Sequence, residues 1–184
     1  ASTQRTFPNE RFKLVYEQDG WRIFENLKTS PRTFLTANYK IFQTKEEFES
    51  LFFANDFDPS NTILLEEYPK GFIEANIFET NKRGEAQLIS YGQNNITIQT
   101  KAESDQLLFL SDTYYPGWQA FVDGTETKIY RADYAFRSII VPAGAHDVLF
   151  VYRPQSFSLG MKTTIISVIV TVFVAFYFTR KVHA

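Results

Sequence analysis

At 184 residues, with 17% aromatics and no cysteine, the chain has room for one ordinary soluble domain, and a disulfide framework or a Cys-ligated metal site is excluded. The formal net charge is −2, so no basic field for a phosphate backbone is present and nucleic acid is not an expected partner. The two histidines, His146 and His183, are isolated in sequence, which argues against a transition-metal cluster.

The first ten residues, ASTQRTFPNE, are polar and start on Ala1 with no charged-then-apolar leader. They read as a loose lead-in, either to a processed protein or to a piece of a longer one. Residues 12–18 and 21–26 are two apolar-rich runs around Asp19-Gly20. Asp-Gly between such runs predicts a tight hairpin, because both turn residues need positive φ. After Pro31, residues 32–42 (RTFLTANYKIF) predict one further strand. Thr44-Lys-Glu-Glu47 is a capping box, in which Thr44 caps a helix and Glu47 bonds back. The helix runs over 45–53, with Phe48, Leu51 and Phe52 on one face. Asp58-Pro59-Ser60-Asn61 is a turn cluster, and 62–67 a strand.

From Gly71 onward strand and turn alternate. Strands are predicted over 72–80, 86–91, 95–102, 106–110, 118–122, 127–131, 135–141 and 147–152. Pro116-Gly117, Asp123-Gly124 and Pro142-Ala-Gly144 punctuate them. Short strands at this spacing predict an antiparallel sandwich. Residues 163–178 (TTIISVIVTVFVAFYF) carry no charge, and 157–178 are interrupted only by Lys162. At 1.5 Å per residue, these 22 positions span about 33 Å, enough for a bilayer core of roughly 30 Å. A strand of sixteen residues is implausibly long, and a soluble helix would show a polar face.

The fold expected is therefore mainly β: an antiparallel β-sandwich-like domain with one short helix, followed by a single C-terminal transmembrane helix. The boundaries are a lead-in at 1–10, a β-rich domain at 11–156 (divisible into an α+β part at 11–70 and a sandwich part at 71–156), a span at 157–178 and a tail at 179–184. Arg180 and Lys181 in a short tail favour the cytoplasmic side, which places the domain outside. All 21 acids precede Phe157 and three of the 19 bases follow it, leaving the soluble part at −5.

Chemistry is sparse. There is no HExxH, no glycine-rich phosphate loop and no G-x-S-x-G. The pairs Glu46/Glu47, Asp56/Asp58 and Glu66/Glu67 have ordinary roles as helix start, turn or surface. Asn95-Ile-Thr97 matches a glycosylation acceptor, but Thr97 is also a plain β residue. Two aromatic stretches remain. DTYYPGWQAFVDG (residues 112–124) offers rings that can stack on a hexose or form a sheet corner. Alternation puts Trp118 inward with Ala120 and Val122, leaving Tyr114 and Tyr115 on the bend. YRADYAFR (130–137) mixes rings with guanidiniums, either as a cation–π-braced turn or as a surface for glycan or headgroups. The candidate ligand-binding residues are Tyr114, Tyr115, Trp118, Arg131, Tyr134 and Arg137. No catalytic or metal-binding residue is assigned.

Those stretches in order, with VPAGAH (141–146), VYRP (151–154) and a membrane helix, resemble the C-terminal end of the YfhO-type bacterial membrane proteins. IFEN (23–26) with Pro31-Arg32 resembles that family's entry into the same domain. The resemblance implies a large multi-spanning glycosyltransferase of the GT-C type, acting on cell-envelope glycans such as teichoic acids. It implies a polyprenyl-phosphate sugar donor for the parent protein and no cofactor in this stretch. The family's catalytic acids are expected near the start of its many-helix region, so none is carried over. The partners implied are the lipid bilayer, the N-terminal transmembrane region of the same protein and an envelope glycan. Two other readings stand beside it, a membrane-tethered carbohydrate-binding module and a structural interaction domain.

Overall fold

A computed structural model describes residues 10–72 and 82–182. The strand expected over 72–80 lies outside the described residues except for Phe72. The chain forms two compact units, Ala1–Arg32 and Thr33–Ala184.

In the first unit, β1 (Phe12–Gln18) pairs antiparallel with β2 (Trp21–Asn26). Asp19 and Gly20 close the hairpin at φ 51° and 82°, the mirror-image turn that matches strand twist. The register shifts between Leu14 and Tyr16, so Val15 is the extra residue of a bulge.

The second unit holds two sheets. One has six strands in the order β3 (Thr33–Thr36), β8 (Gln106–Leu110), β12 (Phe136–Val141), β11 (Tyr130–Ala132), β5 (Thr62–Leu65) and β4 (Asn38–Ile41). The other has five, in the order β10 (Thr125–Thr127), β9 (Trp118–Val122), β13 (Gly144–Tyr152), β7 (Asn95–Ala102) and β6 (Glu85–Tyr91). Every pairing is antiparallel except β4 with β5. Those two are joined through α1 (Lys45–Phe52), as parallel neighbours require a crossover. Thr44 caps α1 by accepting from the Glu47 amide, and the Glu47 carboxylate accepts from the Gln43 amide. Phe48, Leu51 and Phe52 make its half-buried face.

Two expected strands are each two strands. Residues 32–42 divide at Ala37 into β3 and β4, which form opposite edges of the six-stranded sheet. The edges therefore meet covalently, and the sheet curls back on itself. The cause is local: the Thr36 hydroxyl accepts from the Asn38 amide at 3.0 Å and donates to the Asn61 carbonyl at 2.5 Å, taking ladder bonds at the bend. Residues 127–131 likewise divide, with β10 in the five-stranded sheet and β11 in the six-stranded one. Ile129, at the crossing, packs on the apolar layer between the sheets.

Alternation builds two cores from one set of strands. β8 is buried along its whole length. Its Leu108 and Leu110 meet Ile98, Val148 and Phe150 of the five-stranded sheet. Its Leu107 and Phe109 face the other way, with Phe34, Ile63, Leu65, Tyr130 and Ala132, inside the curl. Full burial of such side chains is worth about 1.5–3 kcal/mol each, so this strand anchors both layers.

α2 (Gln155–Val182) follows β13 after two residues. Its stretch Gln155–Arg180 is long and apolar enough to cross a membrane, and its apolar side chains are exposed. The hydroxyls of Thr163, Thr164, Ser167 and Thr171 donate to backbone carbonyls of the preceding turn at 2.8–3.0 Å, so none needs water.

Candidate functional site

The loop between β8 and β9 is the DTYYPG stretch, and Asp112 organises it. One Asp112 carboxylate oxygen accepts from Arg137 Nη2 at 3.0 Å, and the other accepts from the Tyr91 hydroxyl at 3.2 Å. Arg137 projects from β12 into the layer between the sheets, where its side chain is 1% exposed. Its guanidinium lies 4.0 Å from the Trp118 ring centre and 5.3 Å from that of Phe150. Nε and Nη1 have no hydrogen-bond partner; the π faces of those rings take their place. Burial pushes the Arg137 pKa down and the Asp112 carboxylate opposes it. A guanidinium stays charged under such a shift, so this is a buried cation with one counter-ion.

Trp118 is half-buried against the inter-sheet core and has the Tyr152 ring 5.3 Å away. Gly117 precedes it at φ 106°, and its carbonyl accepts from the Arg153 amide at 2.7 Å. A Cβ on Gly117 would stand 3.0 Å from the Pro154 Cα. The loop is therefore sewn to the last residues before α2. Tyr115, 60% exposed, lies with its ring 6.4 Å from Tyr152, while the Tyr114 amide donates to the Ala135 carbonyl at 2.7 Å.

The β11–β12 turn brings the other candidates together. Arg131 Nε donates to the Tyr134 carbonyl at 2.6 Å, its guanidinium stands over the Tyr134 ring, and Nη1 reaches Glu66 at 3.3 Å. Tyr134 also packs on Phe48 of α1. Asp133 and Tyr134 sit at φ 45° and 66°, a strained arrangement for a tyrosine. Asp133 compensates: its amide donates to the Leu64 carbonyl, and its carboxylate accepts from the Leu64 amide, each at 2.8 Å. The side chain thus completes a bridge to β5. Desolvation raises its pKa to about 6, against the lowering effect of the Leu64 N–H.

The six sequence candidates thus fall into three sets. Half-buried Trp118 stacks on buried Arg137, Arg131 and Tyr134 brace a turn, and Tyr114 and Tyr115 stand on the bend. Asp112, Tyr91 and Tyr152 were missed as their partners. Only the acid in DTYYPG signalled any of them, since the other contacts join distant segments.

A second feature is a shallow groove of about 440 Å³ on the outer face of the five-stranded sheet, lined by Gln87, Gln99, Lys101, Asp123, His146 and Asp147 among others. His146 Nδ1 is 2.6 Å from an Asp123 carboxylate oxygen and Nε2 is 3.1 Å from the Ala143 carbonyl. The bond to Asp123, with a smaller part from Ala143, raises the His146 pKa; the same bond, with a smaller part from the Asp147 amide, lowers that of Asp123. None of the six candidates lines this groove. Four acids of the sequence pairs have partners: Glu66 pairs with Arg131 at 3.3 Å and Glu67 with Lys128 at 2.7 Å, Glu47 accepts from the Gln43 amide, and Asp58 from the Ser60 amide. Among the described residues no group of three or more potential ligands gathers as a metal site.

No solved structure matches the chain. Over 106 residues it is 29% identical to the uncharacterized protein YfhO of Bacillus subtilis (strain 168). That alignment takes in 58% of this chain and 12% of the relative, so the chain spans a small fraction of the relative's length. The family model for the bacterial membrane protein YfhO matches residues 75–180, from before β6 through nearly all of α2. The IFEN and Pro31-Arg32 segments lie outside that match. With more than half of its length matched, including both aromatic stretches and the apolar helix, the chain belongs to the YfhO family of bacterial membrane proteins.

Proposed function

We propose that this chain is the extracytoplasmic C-terminal domain and last membrane helix of a GT-C-like glycosyltransferase that decorates a cell-envelope glycan. The chain itself does no chemistry in this reading; it packs over the membrane region and shapes the acceptor site. The donor, a sugar carried on polyprenyl phosphate, is handled by the parent's other helices. The carrying observation is that the family match runs unbroken from the β-domain through α2 while the alignment takes in only 12% of the relative. Consistent with a non-catalytic part, Arg137, Arg131, His146 and Asp112 are each engaged in a contact that holds the fold. The basic tail supports an outside domain. The test is sugar incorporation into envelope glycan by cells whose full-length protein lacks the stretch matching 75–180. Incorporation should fall sharply, while the 184-residue chain alone should transfer no sugar from a polyprenyl-phosphate donor. Turnover by the isolated chain would overturn the proposal.

The groove favours one second reading, a tethered glycan-binding module. Its Gln87, Gln99 and Asp147 offer hydrogen-bonding groups to sugar hydroxyls. Gln99→Ala tests this cleanly, whereas Trp118→Ala would disturb the core. Loss of glycan-array binding in Gln99→Ala with an unchanged melting temperature would support the module.

A further inference from the structure

The two ends of the sandwich differ in chemistry. β13 runs from Gly144 to Tyr152 and then leads through Arg153 and Pro154 into α2. At about 3.3 Å per residue this strand separates the ends by roughly 27 Å. Its register places Gly144 beside Ala102 at the far end, and Val151 beside Asn95 and Gln119 at the helix end.

Five of the ten tyrosines gather at the helix end: Tyr91, Tyr114, Tyr115, Tyr134 and Tyr152. Shared contacts place them there. Tyr91 bonds Asp112, Tyr115 packs near Tyr152, and the Tyr114 amide bonds the Ala135 carbonyl in the turn that carries Tyr134. Tyr91, Tyr114, Tyr115 and Tyr134 are 38–60% exposed. The turns at the far end are built on charged groups: Lys82 pairs with Glu103 at 3.1 Å, and Asp105 caps the Ala143 amide at 3.0 Å. A ring with an apolar body and a hydroxyl tip suits the zone where hydrocarbon gives way to headgroups, which is where Tyr and Trp concentrate in membrane proteins.

We infer that the tyrosine-bearing end of the sandwich is a seat on phospholipid, with Tyr115 and its neighbours lying in the headgroup zone around the point where α2 enters the bilayer. The seat rests on α2 crossing the membrane and is independent of which side the domain faces. Continuity fixes the occupant: the loop bonded to Arg153 lies two residues from the start of α2, so lipid is the first phase available to it. Gly117 holds that loop against Pro154 and so fixes the height of the rings.

The absence of cysteine makes the test direct. The full chain would be made as single-cysteine variants Tyr115→Cys, Ala143→Cys and Val168→Cys, labelled with NBD and reconstituted in phosphatidylcholine–phosphatidylglycerol vesicles. Near-UV circular dichroism confirms the fold, and Tyr115 is exposed enough to tolerate the change. The seat predicts blue-shifted emission at 115 with loss of intensity to headgroup-level nitroxide lipid. It predicts water-like emission at 143 and loss of intensity to deep-acyl nitroxide at 168. Water-like emission at 115 beside an acyl-buried 168 overturns the seat alone. Water-like emission at 168 overturns the membrane crossing and the seat with it.

Discussion

Burial raises the pKa of the Asp133 carboxyl to about 6. The sign of the linkage follows from proton counts. Between the unfolded value near 4 and the folded value near 6, the folded state binds more protons, so stability falls as pH rises through that window and is flat above it. Asn keeps the acceptor for the Leu64 amide, tolerates the left-handed backbone and cannot titrate. Asp133→Asn should therefore shrink the stability difference between pH 4 and pH 7 by on the order of 2 kcal/mol, read by denaturant melts at both pH values. His146 acts in the same direction in a higher pH window. Its raised pKa adds stability that is present below the ordinary histidine range and is lost as pH climbs through the raised value. At this scale the sequence was hard to read: Asp133 looks like any turn acid until β5, some seventy residues earlier in the chain, is laid beside it.

At the scale of elements, turns were the most legible feature and long strands the least. Asp19-Gly20 and Asp123-Gly124 both form the expected positive-φ pairs, because the Asp-Gly step itself favours that geometry. The capping box also stands where its spacing put it, since a cap is a contact three residues long. Residues 32–42 and 127–131 were expected as single strands and each changes partner midway. Propensity reports that a segment is extended, not which neighbour it joins. Gly117 offers a test of the corner. Gly117→Ala meets both an unfavourable φ and the Pro154 backbone, and should cost about 1–3 kcal/mol. Gly124→Ala has the same kind of φ but open space around it, and should cost about 1–2 kcal/mol at most. Thermal unfolding of the two variants in detergent gives the comparison.

For the whole molecule, the tie between the sheets is Arg137. It belongs to the six-stranded sheet, while the rings it touches, Trp118 and Phe150, belong to the five-stranded one. Removing its counter-ion leaves a buried cation uncompensated. Asp112→Ala should therefore destabilise the domain by roughly 3–5 kcal/mol. Adding Arg137→Met to that variant should recover part of the loss, because the apolar layer then carries no charge. Guanidinium unfolding of the single and double variants decides it; an additive double variant would show that the pair does not couple.

The sequence by itself determined the class of this protein. Uncharged length set the helix that follows the domain, period-two alternation and Gly-containing turns set a mainly β domain, and the ordered aromatic stretches pointed to the YfhO family. These are properties of consecutive residues, and local geometry is enough to express them. Only the tertiary structure decided that Trp118 stacks on Arg137 across two sheets, that the six-stranded sheet curls until its edges meet at Ala37, and that five tyrosines share one end. Each of those depends on which distant strands lie side by side, and strand partners are chosen by the packing of whole faces rather than by any short run of residues.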